Sequence, residues 1–334
     1  MNSFEKKILI TGVAGFLGSN LLSKVLQKGH KVWGIDNLSM GSLQNMGASL
    51  ENPDFTFLEK DIVETETFED LGETFDVIVH LAAFKIPRYG NTIDTLKINS
   101  IGTENVLEFA KKTKTKCVLA STSDVYGMSP DIPFREDGNL VLGDSTVPRW
   151  SYAASKVFDE HLALAYMEAY DFPVVLLRFF GSYGPNQNLT WWGGPQSVFI
   201  NAVMNDEVIP IHGDGMQTRT FTFVEDTVDG IYAAIMKEEA NGEIFNIGAH
   251  EEITILGLAQ KIKALSGTPG DLKVEIIPYD KISAGRKYQD VMRRVPDTSK
   301  AERLLGVKAK VSLEEGLKRT IEWQVSITQT EVQV

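Results

Sequence analysis

The sequence predicts an α/β fold: a doubly wound parallel sheet with a smaller C-terminal lobe. Three observations predict it. Short apolar runs alternate with helical patterns through the first half, the signature of βαβ units. A glycine-rich turn joins the first apolar run to the first helical pattern. The chain has 334 residues, 43% of them hydrophobic and 23% charged, enough for a large core.

The elements follow in order. Residues 7–11 read as a strand, and 19–28 as a helix with apolar Leu21, Leu22, Val25 and Leu26. Strands are expected at 31–35, 55–58 and 76–80, and an amphipathic helix at 99–112. A buried strand at 117–120, a long helix at 152–170 and a strand at 174–179 complete the first half. The second half is less regular. Gly, Pro and Asn cluster between Gly181 and Pro195. A strand edge and helix are expected over 221–235, a strand at 243–247, and helices at 254–266 and 313–323. The predicted division is a dinucleotide-binding domain over 1–180, with 222–250 returning to it, and a second lobe from 181–221 and 251–325. That lobe is expected at the C-terminal edge of the sheet, where ligands bind in open α/β folds.

Composition narrows the function. The net charge of −12 argues against nucleic acid or an anionic membrane as a partner, so a phosphate-bearing ligand must be held by local basic residues and backbone N–H groups. The one cysteine, Cys117, lies in a predicted strand, so no intrachain disulfide is expected, and no metal-type Cys/His spacing is present. The start lacks the apolar stretch of a signal peptide, and no long apolar run follows; a cytoplasmic protein is expected. Asn188-Leu189-Thr190 fits a glycosylation sequon but would need secretion to matter.

The stretch ILITGVAGFLGSN carries Gly12, Gly15 and Gly18 between a strand and a helix. Such glycines allow a tight turn and let backbone approach a pyrophosphate at the helix N-terminus, which points to a Rossmann-type site. Asp36 ends the next strand. Its carboxylate can accept from both ribose hydroxyls and would repel a 2′-phosphate. Asn37 and Leu38 are not basic, so NAD is favoured over NADP. Asp61 and Ile62, after the third strand, are candidates for adenine contact, though an Asp there also suits a helix N-cap.

Chemistry is expected at two further places. STSDVYG (121–127) sets hydroxyls and an acid at a strand end, and SYAASK sets Tyr152 and Lys156 four apart on one helix face. An ammonium near a phenol favours the phenolate. Tyr152 could then take a proton from a sugar hydroxyl while hydride leaves, with Thr122 bonded to the same oxygen. Asp124 could instead be a turn residue.

TGVAGFLG, Asp36-Asn37-Leu38-Ser39, HLAA at 80–83, STSDVYG, YAASK, RFFGSYGP at 178–185 and HGDGMQTRTF at 212–221 occur in this order. In this the chain resembles, over nearly its whole length, the extended short-chain dehydrogenases/reductases that act on nucleotide-diphosphate sugars. The resemblance implies retained NAD and a UDP-sugar substrate. It implies Tyr152, Lys156 and Thr122 as catalytic residues, with Lys156 also on the nicotinamide ribose. Phe16, Leu17, Leu81, Ala82, Ala83 and Asn99 join the glycines, Asp36, Asn37, Asp61 and Ile62 as cofactor contacts. Arg219 resembles the arginine on the nucleoside diphosphate, and Gly181 stands where the family usually has Asn. Lys85 and Ser123 are further substrate candidates, as is Arg88. The family often dimerises through the two helices that begin near Asn99 and Tyr152. Leu107, Phe109, Ala110, Leu162, Leu164 and Ala165 offer apolar surface there, or else core.

Members of this family oxidise a sugar hydroxyl, usually at C4, and differ in what happens to the ketone. STSDVYG resembles the STSEVYG of UDP-glucuronate decarboxylases, with Asp124 one methylene shorter. PRWSYAASK and TLKINSIGTENVL (95–107) lean the same way. YQDVMRRVPDTSKA (288–301) resembles the segment whose arginine meets the sugar carboxylate, which falls on Arg294. Decarboxylation of a UDP-uronic acid is therefore favoured. A UDP-sugar 4-epimerase is the alternative; a 4,6-dehydratase or a non-catalytic NAD-responsive protein fits less well. NLTWWGGPQ (188–196) lies outside the common pattern, with Trp191 and Trp192 as either a pocket wall or lobe packing.

Overall fold

A computed structural model describes residues 5–69, 71–85, 91–283 and 286–331; Arg88 lies outside them. The first half runs β1 (Lys7–Thr11), α1 (Phe16–Gln27), β2 (Lys31–Asp36), the single turn α2 (Leu43–Met46), β3 (Phe55–Glu59), the single turn α3 (Glu66–Glu69), β4 (Val77–His80), α4 (Thr92–Thr113), β5 (Lys116–Thr122), α5 (Trp150–Tyr170) and β6 (Val174–Phe179). The second half runs β7 (Ser182–Tyr183), α6 (Pro195–Met204), β8 (Ile209–His212), β9 (Thr218–Thr220), β10 (Thr222–Phe223), α7 (Val224–Met236), β11 (Ile244–Ile247), β12 (Glu252–Thr254), α8 (Ile255–Ser266), β13 (Val274–Ile277), the single turn α9 (Tyr279–Ile282), β14 (Arg293–Arg294) and α10 (Leu313–Glu331).

Seven strands form one parallel sheet in the order β11-β6-β5-β4-β1-β2-β3. The central strands are apolar on both faces because helices cover both. Ile8, Ile10, Val77 and Val79 enter one core, and Leu9, Ile78, Cys117 and Leu119 enter the other. The chain reverses its winding between β1 and β4, and there the strand ends splay to open a crevice. The segment 222–250 supplies α7 and β11, and β11 pairs with β6 at the sheet edge. The remaining strands form small two- and three-stranded sheets above the C-terminal ends of the large one.

Two helices are longer than their apolar periodicity suggests. Helix α4 starts at Thr92 because the Asn91 side chain accepts from the Ile93 N–H at 2.9 Å and caps it. Helix α10 continues to Glu331 through a polar last part. Leu107, Phe109 and Ala110 are buried core of α4, and Leu162 and Leu164 of α5 pack against that core. Exposed large apolar residues of these helices are instead Ile93, Leu96 and Ile101 on α4 and Phe158 and Tyr170 on α5. No described helix is long and apolar enough to cross a membrane.

Candidate functional site

A groove of about 810 Å³ runs along the C-terminal ends of the strands. One end is built from the glycine turn. Gly12 has φ +73°, and a Cβ there would lie 2.7 Å from the Ala82 nitrogen. A side chain at Gly18 would run into the Gly12 carbonyl. Backbone thus approaches closely here because no side chain intervenes. Gly15 caps α1 without a side-chain bond, leaving the helix N-terminus facing the groove. Phe16, Leu17, Leu81, Ala82 and Ala83 line the same end.

Asp36 is buried at the end of β2. Its Oδ2 accepts from the Ala14 N–H at 3.0 Å and its Oδ1 from the Leu38 N–H at 2.9 Å. These two bonds aim the carboxylate and leave each oxygen a lone pair for a ribose hydroxyl. Burial raises its pKa, and the two N–H bonds oppose the shift. Asp61 is an Asx-turn residue: its Oδ1 accepts from the Val63 N–H at 3.0 Å while its Oδ2 accepts from Asn37 at 2.8 Å. Both side chains and Ile62 line the groove. The residues therefore fit an NAD-type dinucleotide: open N–H groups for a pyrophosphate, and a preset carboxylate where a 2′-phosphate would be repelled.

Asn99 does not reach the groove. It is fully buried, and its amide holds the Phe84 backbone (Phe84 N–H to Oδ1 at 2.8 Å, Nδ2 to Phe84 O at 3.2 Å) and Ser155 at 2.9 Å. Its amide holds the strand-end loop at Phe84 from behind the groove wall. Ser123 is also walled off. It is buried, and its hydroxyl accepts from Arg294 at 3.3 Å.

Thr122, Tyr152 and Lys156 meet in mid-groove. Thr122 ends β5 and caps the next turn, accepting from the Asp124 N–H at 3.2 Å, so Thr122, not Asp124, is the turn's cap. The Thr122 hydroxyl also bonds Tyr152. The expected lowering of the phenol pKa is not found in the protein alone. Burial, followed by the Asp124 and Asp159 charges, pushes Tyr152 up. Lys156 gives its ammonium to Asp159 at 3.1 Å, inside the fold. Behind them the Glu160 carboxylate holds Arg178 through two bonds, 2.9 and 2.6 Å, and accepts from Ser121 at 2.5 Å. That buried pair ties α5 to β5 and β6 and fixes the height of Tyr152 against Thr122.

The other end of the groove is a charge cluster. Arg294 meets the Asp124 carboxylate at 2.9 Å, and Arg149 approaches it at 3.6 Å. Asp290 pairs with Arg149, with Arg219 at 3.1 Å, and accepts from the Tyr279 hydroxyl at 2.8 Å. Burial opposes ionisation of Asp290, but the Arg149 and Arg219 guanidinia outweigh it and hold the carboxyl well below its usual range. Burial, then the Arg294 charge, pulls Arg219 down to about 9, still charged at neutral pH. Three guanidinia thus face two carboxylates beside Thr122 and Tyr152. Lys85 and Gly181 line the groove as well.

Arg149, Asp290 and Asp159 were not singled out from sequence. Arg149 lies one turn before Tyr152, and Asp290 four residues before Arg294; helix phase and proximity to a motif were the signals available. The two tryptophans divide the work. Trp191 stacks on His212 (4.5 Å, 23°) and meets Phe199 edge-on in the lobe, whereas Trp192 meets Phe84 edge-on at 5.1 Å across the groove. Both line the groove, so lobe packing and wall are combined.

The family model for GDP-mannose 4,6 dehydratase matches residues 9–320. The chain belongs to that family. Within it, the chain is 36% identical over 321 residues to the UDP-N-acetyl-alpha-D-glucosaminuronate decarboxylase of Bacillus cytotoxicus, covering 96% of this chain and 98% of that one. It is 35% identical over 321 residues to UDP-glucuronic acid decarboxylase 1 of Xenopus tropicalis, covering 96% and 72%. Among solved structures, the UDP-glucuronic acid 4-epimerase of Bacillus cereus in complex with UDP-glucuronic acid and NAD superposes with a TM-score of 0.83 at 30% identity, covering 96% and 99%. The resemblance to nucleotide-sugar enzymes and the Rossmann-type fold are both borne out by these matches.

Proposed function

We propose that the protein is an NAD-retaining enzyme that decarboxylates a UDP-uronic acid, UDP-glucuronate or its N-acetylamino analogue, through a 4-keto sugar. The observation that carries the reading is the pair of guanidinia, Arg294 and Arg149, that converge at Asp124 beside the Thr122–Tyr152 pair. A sugar carboxylate is the anion that such a site would accept next to a C4 hydroxyl, and guanidinia bind carboxylates with directed pairs of bonds. The relatives whose names specify uronate decarboxylation support the same reading.

Asp36, the open N-terminus of α1 and Lys156 are the residues that would hold the dinucleotide. Bound NAD⁺ would accept the C4 hydride and give it back after CO₂ has left. Tyr152 takes the C4 hydroxyl proton as the phenolate, a form that the positive ring of bound NAD⁺ would favour against the burial that holds the phenol protonated in the protein alone, and Thr122 aims the same oxygen. Arg294 and Arg149 turn the carboxylate out of the plane of the ketone. The C5–C6 bond then breaks, its electron pair moves into the β-ketone as an enolate, and CO₂ departs. A water positioned by the Asp124 carboxylate returns a proton to C5, and the hydroxide left behind takes a proton from solvent. Arg219 is assigned to the diphosphate, with Lys85 and Gly181 on the substrate side.

The second reading, 4-epimerisation, is supported by the likeness to the Bacillus cereus epimerase. It needs the same arginines and no loss of carbon. Proton NMR of the protein with NAD⁺ and UDP-glucuronate, scored for CO₂, separates the two. A pentose spectrum with CO₂ is expected, and an altered H4 coupling with all six carbons kept would replace decarboxylation by epimerisation. The chain also reads as a dinucleotide domain (1–180 with 222–250) and a sugar-binding lobe. It reads as a homodimer through Ile93, Leu96, Ile101 and Phe158; light scattering at micromolar concentration should give twice the chain mass.

A further inference from the structure

Asp159 is a buried acid that the reaction above does not use. It meets the Lys156 ammonium at 3.1 Å, with the two side chains 6% and 2% exposed. Lys156 lines the groove, and Asp159 stands behind it, away from the groove. The neighbouring acids are engaged elsewhere, Glu160 with Arg178 and Asp124 with Arg294. The nearby His80 is neutral: burial, helped by the Lys156 charge, holds it at about 3. It sits between the Thr11 hydroxyl at 2.7 Å and the Thr103 hydroxyl at 3.2 Å. The mid-groove wall is therefore close to electrically neutral, and Asp159 is what makes it so. Its charge is also felt at Tyr152, whose phenol it helps to push up.

A lysine alone on this wall would repel a cationic ring and be indifferent to a neutral one. Oxidised nicotinamide is cationic and reduced nicotinamide neutral. We propose that Asp159 is a positioning residue that sets the redox preference of the site: by neutralising Lys156 from inside the fold it favours binding of NAD⁺ over NADH. Such a preference keeps a cofactor-retaining enzyme ready to begin with oxidation. The inference rests on the NAD reading and is independent of which sugar reaction follows.

The test is the ratio of NAD⁺ to NADH dissociation constants, measured without sugar on cofactor-stripped protein by tryptophan quenching and nicotinamide fluorescence. Asp159→Asn should shift the ratio toward NADH by roughly ten- to thirtyfold, the size expected of one charge acting across several ångströms of protein. Asp159→Glu should leave the ratio near that of the parent. Lys156→Met should shift it the other way, toward NAD⁺, and Lys156→Met with Asp159→Asn should return it. If Asp159→Asn does not fold, the comparison of the single Lys156→Met with the double variant still reads the Asp159 charge. Equal weakening of NAD⁺ and NADH in every variant would overturn the proposal and leave Asp159 as a packing residue. Failure of the parent to bind either form would instead remove the NAD reading itself.

Discussion

At the glycine-turn end of the groove, contacts come from backbone and from side chains close to one another in sequence: Gly12, Gly15 and Gly18, then Asp36 one strand later. At the Asp124 end they come from four separate segments: the end of β5, the start of α5, β9 and the stretch around Asp290–Arg294. The first end presents dipoles fixed by chain geometry. The second presents whole charges held mainly by one another. A site of the first kind tolerates little change in shape, and a site of the second kind tolerates little change in charge.

The largest test lies between the two ends. Tyr152→Phe removes the proton acceptor but no wall, so turnover should fall by about 10²–10⁴-fold while NAD⁺ affinity, read by fluorescence, stays within a few-fold of the parent. At the geometric end, Gly18→Ala drives a methyl into the Gly12 carbonyl. NAD⁺ affinity should drop by roughly a hundredfold or more, with a lower melting temperature, because a fully formed close approach has no room to relax. At the charged end, Arg294→Gln should weaken UDP-glucuronate by roughly 10- to 100-fold, as expected for a lost bond to a charged group, and hardly change UDP-glucose in calorimetry. Equal losses for both ligands would assign Arg294 to the diphosphate and blur the contrast between the ends.

Acid should separate the two ends as well. His80 is depressed to about 3 in the fold, against about 6.5 when exposed. The unfolded chain therefore binds the extra proton between these values. The stability this contributes is complete above pH 6.5 and is lost as pH falls toward 3, at about 1.4 kcal/mol per pH unit. Thermal melts from pH 7 to pH 4 should show stability falling ever more steeply toward that slope, and His80→Gln should flatten it. Asp290 is likewise depressed, so its contribution persists above the ordinary carboxylate range and fades only below it. The smallest effect is expected from Asn37→Ala, which removes one bond to Asp61 at 2.8 Å and should cost about two- to tenfold in NAD⁺ affinity.

These differences bear on what could be read from sequence. The strands and the glycine turn were legible because each is a local rule: a run of apolar residues, a turn only glycine can make, an acid at a strand end. Asn99 and Ser123, expected as ligand contacts, do not line the groove in the protein alone. A motif position does not say which way a side chain faces, and here the Asn99 amide faces the Phe84 backbone. Of the two readings open for the apolar residues of α4 and α5, dimer surface or core, the fold takes core or core packing for all but the exposed Ala165. The Tyr152 phenol is raised rather than lowered because burial and then the Asp124 and Asp159 charges act on it, while the Lys156 ammonium is taken up by Asp159.

By itself, the sequence determined the parallel sheet, the glycine turn, the preset acid at Asp36 and the Tyr152–Lys156 helix face, since each depends on residues within one or two elements. Tertiary structure alone decided which charges meet. Asp124, Arg149 and the Asp290–Arg294 stretch are distant along the chain, and Asp159 takes its meaning from the burial of Lys156. Coulomb energy depends on separation and on the surrounding medium, and neither is set until the chain has packed.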